Sequence, residues 1–390
     1  AVIIAIGTLL LTLPVSSRFG SFTNPLDCLF TATSATCVTG LVIHDTALFW
    51  SPFGQGVILL LIQVGGMGVV TMAVAIFMFS GRKIGLKQRW VMQESISAPQ
   101  VGGIVRMTGF ILKTAFLIEA IGALLLALRF CPQFGLGKGI WYGIFHAVSA
   151  FCNAGFDLMG ETGAFSSLTG YVGDPLVNLV ICLLIVVGGL GFLTWHDVAA
   201  HGRHVSQYRL QSKLILLTTL ALLVGGFLFF RFYEFSRPQW AALTGGERGL
   251  AALFQSVSPR TAGFNTVDLT QLSACSQLMT ILLMLAGGSP GSTAGGFKTT
   301  TLAVLLLSVG AVIRRQGSAR CFGRRLPDQV LRNACAIFLL YLLLFLAGGM
   351  LICCMDEIPL MQARSGAPSP LGAVGLSLGA GAEPSGGSPL

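Results

Sequence analysis

Four short segments, each built around one glycine, carry the strongest chemical signal in the sequence. FTATSATCVTGL contains Gly40, FHAVSAFCNAGF contains Gly155, LFQSVSPRTAGF contains Gly263, and a fainter SPLGAVGLSLG contains Gly375. The intervals between these glycines are 115, 108 and 112 residues. Glycine accepts backbone angles closed to other residues and lets the chain approach a ligand without a Cβ in the way. Four such strands around one axis could present backbone carbonyls that replace the hydration shell of a monovalent cation. Glycine- and serine-rich packing motifs are common between membrane helices, but packing alone does not predict equal spacing on one side.

Such strands need a scaffold that keeps non-helical backbone away from lipid, because it is tolerated at membrane depth only inside protein or beside a water-filled cavity. The 390 residues are 54% hydrophobic and 10% charged, with a mean hydropathy of +0.79. A soluble domain carries about 25% charged residues. Apolar runs near the ~20 residues needed to cross a bilayer, without period-2 alternation, predict an all-α polytopic membrane protein. Helices are expected near 1–14, 53–80, 104–128, 172–195, 213–233, 269–288, 299–313 and 330–354. With 269–288 and 299–313 taken as halves of one broken span, this gives seven crossings. The first run fits a clipped helix better than a signal peptide, since it lacks a basic flank.

The stretches Asn24 to Leu41, Lys138 to Phe156 and Gly249 to Phe264 are too apolar for ordinary loops and read as re-entrant. The predicted unit is therefore span, re-entrant segment, span, in four pseudo-repeats: 1–80, 104–195, 213–313 and an incomplete 330–390. Segments 81–106, 196–213 and 314–332 carry fourteen basic and three acidic residues, whereas the alternate loops and tail carry eight and eleven. Lys and Arg are retained in cytoplasmic loops, so the basic side faces the cytoplasm and the chain is expected to be multi-pass in the cytoplasmic membrane. The net charge of +9 is thus a topology signal, not one for nucleic acid. The basic loops could also attract an acidic lipid leaflet or an acidic cytosolic partner.

LAGGSPGSTAGGFKTT, from Leu285 to Thr300, superficially suggests a phosphate loop. Phe297 separates Gly296 from Lys298 and an apolar helix precedes the loop, so the Gly-Lys-Ser/Thr requirement is not met. Only 32 residues and one span separate Gly263 from Gly295, which places the loop on the cytoplasmic side of the glycine strands. Its small residues make a deformable plug, with a structural kink as the plainer alternative.

TATSATCVTGL, SAFCNAGFDL, SVSPRTAGFNTVDL and GGSPGSTAGGFKTTT resemble the pore loops and gate of the Trk/Ktr/HKT superfamily of potassium transporters, closest to the Ktr type, over essentially the whole chain. The resemblance implies uptake of potassium, passive or sodium-assisted, without covalent chemistry or a bound cofactor. Matched motif by motif, it implies a selectivity filter of Val38, Thr39 and Gly40; Asn153, Ala154 and Gly155; Thr261, Ala262 and Gly263; and Ala373, Val374 and Gly375. The implied gate comprises Gly287, Gly288, Ser289, Pro290, Gly291, Ser292, Thr293, Ala294, Gly295 and Gly296, with Lys298 at its end. A homodimer on a cytosolic nucleotide-binding regulatory ring is implied as well.

Other candidates are weaker. Intramembrane charges are costly, and Glu119 and Lys113, six residues apart on one predicted helix, fall on different faces. Glu119 is divided between a structural partner and an ion-path role, and Lys113 reads as snorkelling. His196, His201 and His204 lack metal-site spacing. Arg260 is expected to brace pore-loop backbone or acidic side chains, and the ten cysteines read as small packing residues. No nucleophile and base fall on facing helices, so no enzyme is predicted. In the family a further long helix follows the fourth segment, where this sequence reads GAGAEPSGGSPL. Two readings stay open on sequence alone: a transporter, or a truncated, non-conducting fragment of one.

Overall fold

A computed structural model describes residues 1–68, 104–316 and 319–356. The predicted fourth segment, with Ala373, Val374 and Gly375, and the second half of the 53–80 span lie outside these residues. The first unit comprises α1 (Val2–Thr12), α2 (Pro25–Thr36), a single turn α3 (Thr46–Phe49) and α4 (Pro52–Gly66). The second comprises α5 (Ile104–Phe134), α6 (Leu136–Phe151), α7 (Pro175–Gly189) and α8 (Phe192–His201). The third comprises α9 (Leu210–Phe229), α10 (Gly245–Val257), α11 (Ala274–Leu285) and α12 (Thr299–Ile313). A short antiparallel hairpin, β1 (Arg320–Cys321) and β2 (Arg324–Arg325), leads into α13 (Asp328–Asp356).

Local sequence dictates where these helices start. Asn24, Ser51 and Asp174 each precede a proline at the first helical position, and their side chains accept from Leu26 N, Gly54 N, and Leu176 N and Val177 N. Such caps satisfy N–H groups that the helix itself cannot pair. Thr244 and Glu247 form a reciprocal capping box at α10. Leu9, Leu60, Leu124, Leu183 and Leu220 are exposed on the outside, the side-chain belt that an all-α polytopic membrane protein presents to lipid. Val105–Phe134, Leu210–Glu234 and Asp328–Gly348 are each long and apolar enough to span a bilayer unbroken.

The continuous helix expected over 172–195 is corrected by the structure. It ends at Gly189 and restarts at Phe192 after a 98° bend. Gly191 sits at φ +86°, and a Cβ there would lie 2.7 Å from the Pro290 carbonyl oxygen. The bend therefore makes room for another segment, which hydropathy averaging cannot register.

Lys113 is exposed, and Glu119 is buried, accepting hydrogen bonds from Gln63 Nε2 at 3.0 and 3.1 Å. Gln63 in turn lies 3.9 Å from Cys152 Sγ. The buried carboxyl thus joins α5 and α4 to the base of the second glycine strand.

At the opposite face, Glu161 receives Lys138 Nζ at 3.0 Å and lies 3.7 Å from the Arg18 guanidinium. The Lys138 hydrogen bond holds the Glu161 carboxyl below its usual value of 4.5. The stabilisation this gives is present above pH 4.5 and is lost as pH falls through the depressed value. A melting profile of the solubilised protein should therefore drop below pH 4.5, and Glu161→Gln should flatten that part of the curve. An identical acid limb in Glu161→Gln would assign it to other groups.

Candidate functional site

The three described glycine strands share one backbone pattern. Val38 and Gly40 lie at φ +57° and +79°, Asn153 and Gly155 at +56° and +72°, and Thr261 and Gly263 at +77° and +87°. The residues between them, Thr39, Ala154 and Ala262, do not have positive φ. A strand alternates its carbonyls between two sides, whereas alternation of left-handed and ordinary residues brings successive carbonyls to the same side. Val38 and Thr261 are β-branched, and positive φ in such residues is a true outlier. Strain of about 1–3 kcal/mol per residue persists only where the surroundings over-determine the backbone, and it clusters at functional sites.

The surroundings here do so with a repeated serine. Ser34 Oγ donates to Leu41 O at 2.7 Å, Ser149 Oγ donates to Phe156 O at 2.7 Å, and Ser258 Oγ donates to Phe264 O. Each acceptor is the carbonyl immediately after the glycine, and each serine lies at the end of the preceding re-entrant helix. The backbone repeats this tie, with Thr39 N donating to Ser34 O, Ala154 N to Ser149 O and Gly263 N to Ser258 O. His146 adds a brace in the second unit: Nδ1 faces Tyr142 O at 2.7 Å and Nε2 accepts from Leu158 N at 3.3 Å. Ser149→Ala leaves a buried carbonyl unpaired, a cost of about 1–3 kcal/mol. It should lower thermal stability and weaken discrimination between rubidium and sodium in uptake competition, with Ser149→Thr milder. Unchanged discrimination in Ser149→Ala would remove the serine from filter positioning.

The strands converge. Gly40, Gly155 and Gly263 line one cavity of about 110 Å³, together with Asp45 and Asp157. Gly155 abuts the third strand, where an added Cβ would lie 2.7 Å from Ala262 O and 3.0 Å from Gly263 Cα. Around the cavity mouth, Asp45 Oδ2 accepts from Phe165 N at 2.9 Å, and Leu168 N donates to Asn265 O at 3.0 Å. The first unit is thereby tied to the second and the second to the third. Asp157 is half-buried at this mouth, and the partial loss of water pushes its carboxyl up to about 6. The side chains of Asn153, Ala154, Thr261 and Ala262 are buried in the surrounding protein. Glycine backbone from three strands therefore borders the cavity, with Asp45 and Asp157 at its mouth, and carbonyls there could coordinate a cation.

The glycine-rich loop lies against the second strand. Thr293 Oγ1 donates to Phe151 O at 2.9 Å and accepts from Asn153 Nδ2 at 3.3 Å. Ser289 N and Thr293 N donate to Gly189 O and Gly188 O, and Phe192 N donates to Gly291 O. The loop thus fills the bend between α7 and α8. Its two ends meet through Gly288 N to Gly295 O and an Ala286–Phe297 bridge. Lys298 Nζ closes it by donating to Ala294 O at 2.8 Å. Gly287, Pro290, Ser292 and Gly296 belong to this same folded-back loop. Arg260 is buried, and its Nε has no partner among the described residues, so the expected bracing contact does not fall within them.

Two further features went unread in the sequence. One is the serine that precedes each glycine strand. The other is a glycine pair at or just past the end of each inner helix: Gly65–Gly66 and Gly188–Gly189 close α4 and α7, and Gly287–Gly288 follow α11. A Cβ at Gly65 would lie 2.0 Å from Thr36 O, and one at Gly188 would lie 2.0 Å from Phe151 O. These glycines let α4 and α7 touch the carbonyl ends of the re-entrant helices α2 and α6. The recurrence of GG after an apolar run was the available signal.

Re-entrant helix and strand segments, repeated and converging among bilayer-length helices, define an all-α polytopic membrane protein of pore-loop architecture. The family model described as TrkH, cation transport protein, matches residues 2–388. The chain belongs to that family, which is one of transporters and not of enzymes. It is 39% identical to the potassium/sodium uptake protein NtpJ of Enterococcus hirae, covering 97% of this chain and 83% of that one. It is 40% identical to the Ktr system potassium uptake protein B of Bacillus subtilis, covering 96% and 83%. Among solved structures, the potassium transporter TrkH from Vibrio parahaemolyticus superposes with a TM-score of 0.71 at 20% identity, covering 97% of this chain and 77% of that one. At that identity the likeness speaks for the fold alone.

Proposed function

We propose that this chain takes up potassium across the cytoplasmic membrane through a selectivity filter made of the glycine strands and gated by the Leu285 to Thr300 loop. The observation that carries the reading is the convergence of Gly40, Gly155 and Gly263 on one small cavity, each strand with the same alternating backbone. The names of the enterococcal and bacillar relatives support potassium as the cargo, and the first of them supports sodium as a second cation. A neutral ring of carbonyls suits a monovalent ion, which it can dehydrate without holding too tightly to release.

Thr293 supports a gating role for the loop, because it joins the loop to Phe151 O and to Asn153 within the second strand. Displacing the loop breaks those bonds and frees the space beneath the cavity. Family resemblance adds a homodimer and a cytosolic nucleotide-binding ring as the assembly that would move the loop. Basic loops on one side support an orientation with that side in the cytoplasm.

The test is uptake of radioactive rubidium by potassium-uptake-deficient cells expressing this chain. Influx above vector cells, competed by potassium more strongly than by sodium, is the expected result. Membrane-inserted protein without rubidium influx would sink the proposal.

A further inference from the structure

A groove away from the glycine strands runs between α9 and α12 toward the basic end of the molecule. Its volume is about 500 Å³. Leu214, Ala303 and Cys321 pack together as its floor, and exposed Leu217 and Leu306 form its walls. Cys321 anchors the β1–β2 hairpin in the seam, which sets Arg320 at the rim beside Arg314 from the end of α12. Both arginines are exposed, neither has an ion pair among the described residues, and no carboxylate lines the groove.

The groove also has the depth of one leaflet. From Ala303 to Arg314 the helix rises about 16 Å at its ordinary pitch, against about 15 Å for half of a bilayer core. Its wall is apolar through that depth apart from Thr218, whose hydroxyl donates to Leu214 O, and its positive charge is confined to one end. This is the distribution of an acyl chain below an anionic headgroup, and basic pockets at the ends of spans are known to take such headgroups.

We propose that the α9–α12 groove binds one anionic phospholipid, with an acyl chain against Leu217 and Leu306 and its phosphate on Arg314 and Arg320. A second copy of this chain is a poorer occupant, because a two-fold contact centred on the groove would bring together two faces that each carry arginines and no carboxylate. A soluble acidic partner would meet the rim but would leave the apolar depth of the groove unfilled. The inference stands apart from the transport reading, since neither arginine touches the glycine strands or the gate loop.

Native mass spectrometry of the full chain, exchanged with equimolar dioleoyl phosphatidylglycerol and dioleoyl phosphatidylcholine, tests it. The wild type should retain phosphatidylglycerol preferentially. R314Q/R320Q should reduce that preference by about fivefold per arginine, while R203Q, a basic residue outside the groove, should leave it unchanged. Gly310→Phe fills the groove from a position where an added Cβ meets nothing within 4 Å, and should lower retention of both lipids while the protein stays monodisperse. An unchanged preference in R314Q/R320Q would overturn the proposal. So would full retention in Gly310→Phe, or a change there in subunit number instead of lipid number, which would give the groove to a second copy. If Gly310→Phe fails to fold, the arginine pair alone decides.

Discussion

Gly155→Asp is expected to reduce rubidium influx to the vector background while leaving the protein in the membrane. Three effects act together at this position. Gly155 is held at φ +72°, where a side chain adds about 1–2 kcal/mol of steric cost. The new Cβ would lie 2.7 Å from Ala262 O and 3.0 Å from Gly263 Cα, both backbone atoms that cannot swing aside. The carboxylate would also put a fixed charge beside the cavity shared by three strands. Gly155→Ala isolates the steric part and should still cost at least about tenfold in influx, equivalent to roughly 1.4 kcal/mol. Gly170→Ala is the control, because a Cβ there meets nothing within 4 Å. Wild-type influx through Gly155→Asp would exclude the second strand from the ion path.

Gly188→Ala should be, with Gly65→Ala, among the most damaging single methyl additions elsewhere. Its Cβ would lie 2.0 Å from Phe151 O and 2.8 Å from Thr293 Oγ1. Relief requires α7 to move from α6 or the α6 carbonyl end to move with Asn153, two residues on. The first route is overpacking of backbone against backbone, at or above the upper end of the usual cost, about 3 kcal/mol. The second displaces a glycine strand and the gate-loop threonine together. Folded yield should therefore fall, and the fraction that survives should transport poorly. Gly225→Ala, on α9 with open space around its Cβ, should be neutral or slightly stabilising, since an interior helical glycine costs about 0.5–1 kcal/mol relative to alanine. Equal yield and influx for Gly188→Ala and wild type would contradict the close contact between inner helix and re-entrant helix.

The general architecture was legible because it depends on patterns that a sequence displays directly. Apolar run length gave the helices, and the spacing of Gly40, Gly155 and Gly263 gave the three re-entrant segments, which the structure brings to one cavity. The bend at Leu190 was not legible, because glycine pairs barely lower the mean hydropathy of a window and 172–195 reads as one span. Positive φ at Val38 and Thr261 was hidden for the opposite reason: β-branched residues ordinarily avoid it, so their type points away from the conformation they adopt. The serine struts stood in plain view in TSATC, VSAFC and VSPRT, but a serine beside alanine in an apolar segment reads as packing. Thr293 lies 142 residues from Phe151, and nothing in the local sequence of either announces their hydrogen bond. A buried guanidinium calls for a partner, yet none faces the Nε of Arg260 among the described residues, so its expected bracing role has no particular group assigned to it.

The central claim is that the glycine strands hold a monovalent cation. Crystals of the protein grown in rubidium chloride, with data collected across the rubidium absorption edge, test it most directly. Anomalous density is expected between the glycine strands, in the cavity that Gly40, Gly155 and Gly263 line, and it should be lost in Gly155→Asp. Rubidium peaks elsewhere on the protein, with none between those strands, would contradict the account.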